Sequence, residues 1–449
     1  MTHYQTKNVI VLGLGRSGLA AARLLKELGA VVTVADSNCN TALQERAELL
    51  RCEGMTVLLG DEADDDKNFY DQAILSPGIE ETSALVINVT SKKIPLIGEI
   101  ELAYSACHCP IVAITGSNGK TTTTELTARV LEAGGLRTIA CGNIGFSFSE
   151  AVQKSSKLDV IVVEVSSFQL ETTNLFHANV AVWLNLSPNH LDRYDTMEEY
   201  RAAKMRIFRN QTAGDLVVVP KNFDPHTLKG SRVKNLTFSA SESGADFSFV
   251  SDAIYFHGEA LLTMSETHLR GAHNAENLMA AFAVGVYFKV DPQTMAKAVM
   301  DYTPPPHRCE LVAIHNGVTW INDSKATTLD AMEKALLSVE KEHSILLIAG
   351  GKNKGSSFQS IFPLIKQRVK HAILIGEMRD AIAADWHDFP CDKASSLQEA
   401  VAMAGNFAVA GDTILLSPGT SSYDMFHDYV ERGEVFKEAV ALFIQGYDE

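Results

Sequence analysis

The stretch Ile111–Thr124, IVAITGSNGKTTTT, constrains the fold of this chain more than any other. Its apolar opening predicts a buried strand, and the run from Thr121 to Glu132 predicts a helix. Between them, Gly116 and Gly119 let the backbone turn tightly and aim N–H groups at an anion beside a helix N-terminus, with Lys120 as counter-charge. Thr121 is the hydroxyl expected to reach Mg²⁺. The usual loop, GxxxxGK[ST], would start at Ile114, which is not a glycine; a shorter Thr-Gly-x-Asn-Gly-Lys-Thr stands here. Gly116, Ser117, Asn118, Gly119, Lys120, Thr121 and Thr122 are therefore the candidate nucleotide-phosphate site.

A chain of 449 residues has room for several domains, each able to bury a core. The formal charge of −16 argues against a nucleic-acid-binding or anionic-membrane surface. Anionic substrates would then need cations concentrated locally, which makes single Lys and Arg residues near motifs informative. The opening MTHYQTKNVIVLGLG lacks the features of a signal peptide, and the apolar Leu278–Phe288 is too short to span a bilayer. Seven scattered cysteines suggest a reducing compartment, so a cytoplasmic location is expected. Cys107-His108-Cys109 has no second ligand pair at zinc-like spacing, and no metal is expected there.

The N-terminal segment reads NVIVLGLGRSGLAAARLLKELGA, then VVTVAD. A strand, Gly13-x-Gly15-x-x-Gly18, a helix and a second strand ending in Asp36 form a dinucleotide-binding fingerprint. The motif brings a phosphorylated ligand to the backbone without choosing NAD. Apolar runs follow at Met55–Leu59 and Gln72–Leu75, the latter closing in Ser76-Pro77-Gly78. The acidic run Asp61–Asp66 reads as a solvated loop.

A second α/β segment starts near residue 98. Apolar runs there deliver Asn143, Glu164 and His190 just beyond their ends, as the phosphate loop itself is delivered. Ligands of a parallel α/β sheet gather beyond the carboxyl ends of its strands, so these residues form one candidate site. Mg²⁺ prefers oxygen ligands around a nucleotide phosphate, which suits Thr121 and Glu164. In the predicted helix Met197–Arg209, spacing alone leaves Lys204 a surface residue. Short strands with polar turns fill Asp215–Arg270, a β-rich excursion, and Asn274 and Asn277 fall three apart on the first turn of the next helix.

The proline-rich DYTPPPHR is the second boundary. Beyond it strands and helices alternate again, with Asp323, Lys325, Lys354 and Ser421-Ser422 at polar strand ends. The expected fold is α/β in three domains. A Rossmann-like domain occupies residues 1–97, a central P-loop-type mononucleotide-binding domain with its β-rich excursion 98–305, and a C-terminal Rossmann-like α/β domain 306–449.

The set TGSNGKTTTT, CGNIG, EVSSFQLE, NLSPNHLDRY, GAHNAENLMAA, HRCE, INDSKATT, GGKNKG and LLSPGTSSYDMF resembles the Mur ligases, in the family's order over nearly the whole chain. NDSKATT with SPGTSSYDMF resembles the branch that adds D-glutamate to UDP-N-acetylmuramoyl-L-alanine in cytoplasmic peptidoglycan precursor synthesis. The resemblance implies an N-terminal domain holding the UDP-sugar, a central ATPase, and a C-terminal domain that closes with the amino acid. Uridine diphosphate then replaces NAD at the first glycine motif, with Gly15, Arg16, Ser17, Asp36, Ser37 and Ser76 as contacts. Some family members carry Arg where this chain has Asn38.

The implied chemistry is ATP-driven amide formation through an acyl phosphate. Lys120 and Thr121 would hold the β- and γ-phosphates and Mg²⁺, with Glu164 and His190 at metal-binding positions and two Mg²⁺ sites expected. Lys204 matches a lysine that the family carbamylates into a metal ligand. Asn143 matches a substrate contact, Asn274 and Asn277 adenine contacts, Arg308 a phosphate contact and Asp323 a ribose contact. Lys325 would steady negative charge at the reacting centre, and Thr327, Lys354 and Ser422 match carboxylate-binding positions for D-glutamate. A monomer is expected, without nucleic-acid partners or membrane insertion. The rival readings are an NAD-dependent oxidoreductase, which leaves Lys120 and Glu164 idle, a P-loop switch or transport ATPase, a non-catalytic nucleotide-binding scaffold, and another Mur-type or folylpolyglutamate-type ligase.

Overall fold

The computed structural model describes residues 4–80, 82–187, 193–224, 233–303, 306–339, 341–352 and 357–448. Three sheets organise them. The first contains β1 (Asn8–Leu12), β2 (Val31–Asp36), β3 (Thr56–Leu59), β4 (Gln72–Leu75) and β5 (Leu96–Gly98), in the order β3-β2-β1-β4-β5. All its pairings are parallel. Strands covered on both faces need continuous apolar runs, and VIVL, VTVA and AIL supply them. The acidic stretch that composition assigns to a loop begins instead with a helical turn, Asp61–Asp64. Asp66 beyond it is buried, accepting from the backbone and side-chain amides of Asn68.

The second sheet adds β6 (Ile111–Thr115), β7 (Ala140–Gly142), β8 (Ile161–Glu164), β9 (Val180–Trp183), β10 (Leu216–Pro220), β11 (Lys234–Ser239), β12 (Phe247–Val250), β13 (Ala253–Phe256) and β14 (Glu259–Thr263). Its order is β14-β13-β12-β11-β10-β9-β6-β8-β7. The strands from β6 to β12 pair in parallel, and β12, β13 and β14 form the antiparallel excursion. The third sheet contains β15 (Glu310–His315), β16 (Val318–Asn322), β17 (Ile345–Gly350), β18 (Val369–Ile375), β19 (Cys391–Lys393) and β20 (Thr413–Leu416), ordered β15-β16-β20-β17-β18-β19. Only β15 runs antiparallel to its neighbour.

Contacts gather the chain into two compact units. One comprises Met1–Leu186, Thr196–Thr263 and Glu276–Met300, and the other Ser187–Asp195, Met264–Ala275 and Asp301–Glu449. In the first unit, one face of the first sheet (Val9, Val11, Val34) shares a core with Ile111, Ala113 and Val163 of the second. Ile10 and Leu12 fill a separate core on its other face. In the second unit, β17 alternates: Leu346 and Ile348 enter one core, and Ile345, Leu347 and Ala349 the other.

Two helices refine the sequence expectation. The helix predicted over Met197–Arg209 ends at Met205, with a 3₁₀ turn at Arg206–Phe208. The helix carrying the two asparagines begins at Ala272, which puts Asn277 on its second turn, and it runs to Tyr287. No helix among the described residues is long and apolar enough to cross a membrane.

Candidate active site

Strand β6 is buried throughout and ends at Thr115, whose hydroxyl donates to the Val165 carbonyl at 2.8 Å. The chain then turns through Gly116–Gly119 into the helix Lys120–Ala133. Gly119 caps that helix at φ 81°, a left-handed conformation that suits glycine. A β-carbon there would also stand 2.2 Å from the Asn277 side-chain oxygen, which accepts from the Thr123 hydroxyl at 3.2 Å. Asn185, just past β9, braces the loop on two sides. Its side-chain oxygen accepts from Asn118 N–H at 2.9 Å, and its carbonyl from Ser117 N–H at 3.1 Å. Asn185 stood at a strand end in the sequence without being assigned to the site, because its role is to fold the loop.

Two lysines converge on this loop. Lys120 Nζ donates to the carbonyls of Gly116 and Ser117, both at 2.9 Å. Lys204 Nζ donates to the same Gly116 carbonyl at 2.9 Å and lies 4.7 Å from the Tyr200 ring centroid. Spacing alone made Lys204 a surface residue, yet it is 1% exposed. The helix Met197–Met205 turns Tyr200 and Lys204, one turn apart, to the inside. Burial pushes the Lys204 pKa down to about 6; Lys120 adds to the fall and Glu164 opposes it. Burial thus favours the uncharged amine.

Glu164 ends β8 and is 2% exposed. Oε1 accepts from the Asn143 side-chain amide at 2.9 Å, and the Glu164 carbonyl accepts from Asn143 N–H at the same distance. Oε2 is buried without a hydrogen bond among the described residues. A buried acceptor left so is costly, and a cation or ligand donor would satisfy it.

Asn143 also faces a cavity of about 450 Å³ at the carboxyl edge of the first sheet. Gly15, Arg16, Ser17, Asp36 and Ser76 line it from one side, and Gly142, Asn143, Gly145, Ser147 and Gln169 from the other. Asp36 shapes the wall. Its carboxylate accepts from Leu14 N–H at 2.8 Å and Asn38 N–H at 2.9 Å. Gly18 supplies close helix–strand packing, since a β-carbon there would lie 1.8 Å from the Gly13 carbonyl oxygen. Ser37 is not part of the lining; its hydroxyl donates to Asp64 at 2.6 Å.

The second unit gathers another polar set. Asp323 follows β16, accepting from Cys309 N–H at 3.2 Å and the Ser417 hydroxyl at 2.9 Å. Burial raises its pKa to about 7, against those hydrogen bonds and nearby Arg308. Lys325 Nζ lies 5.3 Å from the Tyr429 ring centroid, and its N–H donates to the His307 carbonyl at 3.0 Å. Thr327 N–H donates to the Lys325 carbonyl at 2.8 Å. Ser422 is buried, and Asn274 donates to the Arg270 carbonyl at 2.9 Å. His190 and Lys354 lie outside the described residues.

Arg432 was missed by sequence reasoning. It is fully buried on the helix Tyr429–Asp448, donating from Nε to the Ser324 hydroxyl at 3.0 Å. Nη2 donates to the carbonyls of Ser324, at 2.7 Å, and Thr420, at 3.2 Å. It therefore ties the turn carrying Lys325 and Thr327 to the turn carrying Ser422. The same helix carries Glu431, Glu434, Lys437 and Glu438, so charge alone did not single Arg432 out.

A left-handed glycine cap, a converging lysine and a hydroxyl-rich first helical turn at the end of a central parallel strand define a mononucleotide-binding α/β protein. Comparison with known proteins gives the narrower placement. Residues 7–98 match the Mur ligase MurD-like N-terminal domain, 114–285 the Mur ligase middle domain, and 307–419 the Mur ligase glutamate ligase domain. The chain is 40% identical to the UDP-N-acetylmuramoylalanine–D-glutamate ligase of Koribacter versatilis, over 97% of each chain. It is 38% identical to that of Streptococcus gordonii, over 96% of this chain and 97% of the relative. Among solved structures, the UDP-N-acetylmuramate–alanine ligase of Thermotoga maritima superposes with TM-score 0.60 at 18% identity, covering 98% of this chain and 99% of that one. The MurF ligase of the same organism, solved with ADP, gives TM-score 0.60 at 15% identity, covering 99% and 96%. The chain belongs to the Mur ligase family, in the branch of the UDP-N-acetylmuramoylalanine–D-glutamate ligases.

The Arg432 arrangement carries a stability prediction. Arg432→Ala strands the Ser324 and Thr420 carbonyls in the interior and is expected to cost about 3 kcal/mol of unfolding free energy. Urea midpoints of the two proteins measure it. An unchanged midpoint would show that Arg432 does not fasten these turns.

Proposed function

We propose that this protein is an ATP-dependent ligase that joins D-glutamate to UDP-N-acetylmuramoyl-L-alanine, in the cytoplasm and as a monomer, during peptidoglycan precursor synthesis. The observation that carries the reading is the Asn143–Glu164 junction: Asn143 lines the cavity of the first glycine motif and donates to Glu164, which ends the strand paired with the one that leads into the phosphate loop. We read the chain as three domains, 1–97, 98–305 and 306–449, a division that follows the three sheets except that β5 ends at Gly98.

A free carboxylate resists amines because its leaving group would be oxide. Transfer of the ATP γ-phosphoryl group to the alanyl carboxylate gives an acyl phosphate. The amine of D-glutamate then attacks the carbonyl carbon, a tetrahedral intermediate forms, and phosphate departs. Both steps bring anions together, so catalysis is mainly positioning and charge neutralisation. Lys120 and the Gly116–Thr122 loop hold the β- and γ-phosphates, with the Ser117 and Asn118 N–H groups donated to Asn185 to fix the loop's shape. Asn274 and Asn277 hold adenine, Arg308 a phosphate and Asp323 the ribose. Gly15, Arg16, Ser17, Asp36 and Ser76 seat the UDP moiety, while Asn143 orients the carboxylate to be activated. Ser37, turned to Asp64, has a weaker claim to that seat. Lys325 steadies the charge that develops at the carbonyl, and Thr327, Lys354 and Ser422 bind the D-glutamate carboxylates.

Mg²⁺ fits the donor set. The Glu164 Oε2 atom is buried and without a hydrogen bond among the described residues, and Thr121, 6% exposed, is the second residue of the helix Lys120–Ala133. No cluster of three His, Cys, Asp or Glu that could hold a metal occurs among the described residues. A cation here would therefore draw on phosphate and water as well as protein, as Mg²⁺ does. Thr121, Glu164, His190 and Lys204 as a carbamate would hold two such ions, which supply neutralisation of phosphate charge when bound.

The lysine's setting supports the carbamate that the family resemblance implies. An ammonium facing Lys120 would repel a cation, whereas a buried neutral amine can add CO₂ to give a carbamate anion and a proton. A pKa near 6 keeps that amine nucleophilic above pH 6 and protonates it below. Lys204→Ala is expected to lower turnover on the order of 10²-fold or more, with partial rescue by acetate or formate. In CO₂-free buffer the native protein should lose activity, and bicarbonate should restore it more slowly as pH falls below about 6. Normal turnover of Lys204→Ala, with no effect of bicarbonate, would remove the carbamate from the account.

Substrate identity is tested by phosphate release with ATP, Mg²⁺ and UDP-N-acetylmuramoyl-L-alanine, offering D-Glu, L-Glu, L-Lys and D-Ala in turn. D-Glu is the expected acceptor. A better rate with any of the others would overturn the assignment.

A further inference from the structure

Cys107 and Cys109 take no part in the site described above, yet the fold places them as a pair. They lie in the connection between the helix Glu99–Ser105 and strand β6, with Sγ atoms 4.0 Å apart and both side chains partly exposed. The connection is pinned on either side of the pair. Cys107 N–H donates to the Tyr104 carbonyl at 3.1 Å, His108 N–H to the Ser155 hydroxyl at 3.2 Å, and Ile161 N–H to the Pro110 carbonyl at 2.9 Å. The pair therefore keeps its spacing without a covalent link. Cys107 Sγ also lies 3.4 Å from the Cys109 carbonyl, to which its thiol can donate.

We propose that Cys107 and Cys109 form a dithiol modification site that hydroperoxides oxidise reversibly to a disulfide. The Cys107 thiolate attacks one peroxide oxygen and breaks the O–O bond, giving a sulfenic acid and releasing hydroxide, which takes up a proton to become water. The Cys109 sulfur then attacks the sulfenic sulfur, loses its proton, and expels the hydroxyl as a second water. Two thiols lose two electrons, and the peroxide gains them. A dithiol reductant reverses the change by thiol–disulfide exchange.

Chemistry orders the two sulfurs. With Cys107 as the thiolate, the Cys109 thiol is the donor across the 4.0 Å gap, which holds Cys107 below the ordinary thiol range and raises Cys109. Cys107 is then the attacking group and Cys109 the resolving one. The Sγ atoms need to close from 4.0 Å to about 2.05 Å, a movement within reach of side-chain rotation between neighbours in an irregular segment. The other cysteines lack these conditions. Cys39 and Cys52 are exposed but form no pair, and Cys141 is buried, with its thiol pushed up by burial.

The experiment treats the full-length reduced protein with stoichiometric hydrogen peroxide, followed by differential alkylation and peptide mass analysis. In the native protein, the peptide carrying residues 107–109 should lose two hydrogens, and regain them with dithiothreitol. It should do so about tenfold faster than Cys39 or Cys52 is oxidised. Cys109→Ser should trap a dimedone adduct at Cys107, whereas Cys107→Ser should yield neither adduct nor disulfide. Faster oxidation of Cys39 or Cys52 in the native protein, or equal dimedone capture in both variants, would overturn the proposal. The native-protein measurement decides the matter even if a variant folds poorly.

Discussion

The pairing of Asn143 with Glu164 is the interaction on which the arrangement of the first unit depends. A carboxyl group 2% exposed at the end of β8, beside the edge strand β7, is costly to bury. One of its oxygens is satisfied by an amide from the next strand at 2.9 Å, and a backbone N–H from the same asparagine meets its carbonyl. The second oxygen is left without a hydrogen bond among the described residues. The same asparagine forms part of the cavity wall beneath the first sheet. One hydrogen bond thus joins the lining of that cavity to the buried end of β8. Gly142, at φ 103°, makes the approach possible, because a β-carbon there would lie 2.3 Å from the Glu164 carbonyl oxygen.

Positive charge is handled in an equally local way. A chain with formal charge −16 must still attract several anions. Lys120 sits on the glycine loop with its ammonium held by loop carbonyls, and Lys204 is buried against the same loop. Burial, and the positive charge of Lys120, push the Lys204 pKa down to about 6. In the second unit Arg432 is spent on structure, fastening two turns, while Lys325 remains beside Tyr429.

Much of this was legible in the sequence because parallel strands announce their own ends. Apolar runs that stop at Thr115, Glu164 and Trp183 put loop residues at one sheet edge, and glycine patterns mark where backbone must approach a phosphate. The family's motifs supplied the roles that spacing could not, above all for Lys204. Burial of that lysine depends on which face of a short helix turns inward, which one charged residue among several does not reveal. Asn185 and Arg432 were illegible for a different reason. Their work is to hold other segments through backbone carbonyls and N–H groups, and such partners leave no trace in residue type. The acidic run at Asp61 shows the limit of composition, since part of it forms a helical turn and Asp66 is buried.

The central claim is that this site activates a carboxylate by phosphorylating it. The direct measurement supplies UDP-N-acetylmuramoyl-L-alanine labelled with ¹⁸O in the alanyl carboxylate, together with ATP, Mg²⁺ and D-glutamate. The phosphate released in turnover is then weighed by mass spectrometry. Passage through an acyl phosphate transfers one labelled carboxylate oxygen to each phosphate. Phosphate carrying no label, released at the rate of amide formation, would contradict the account.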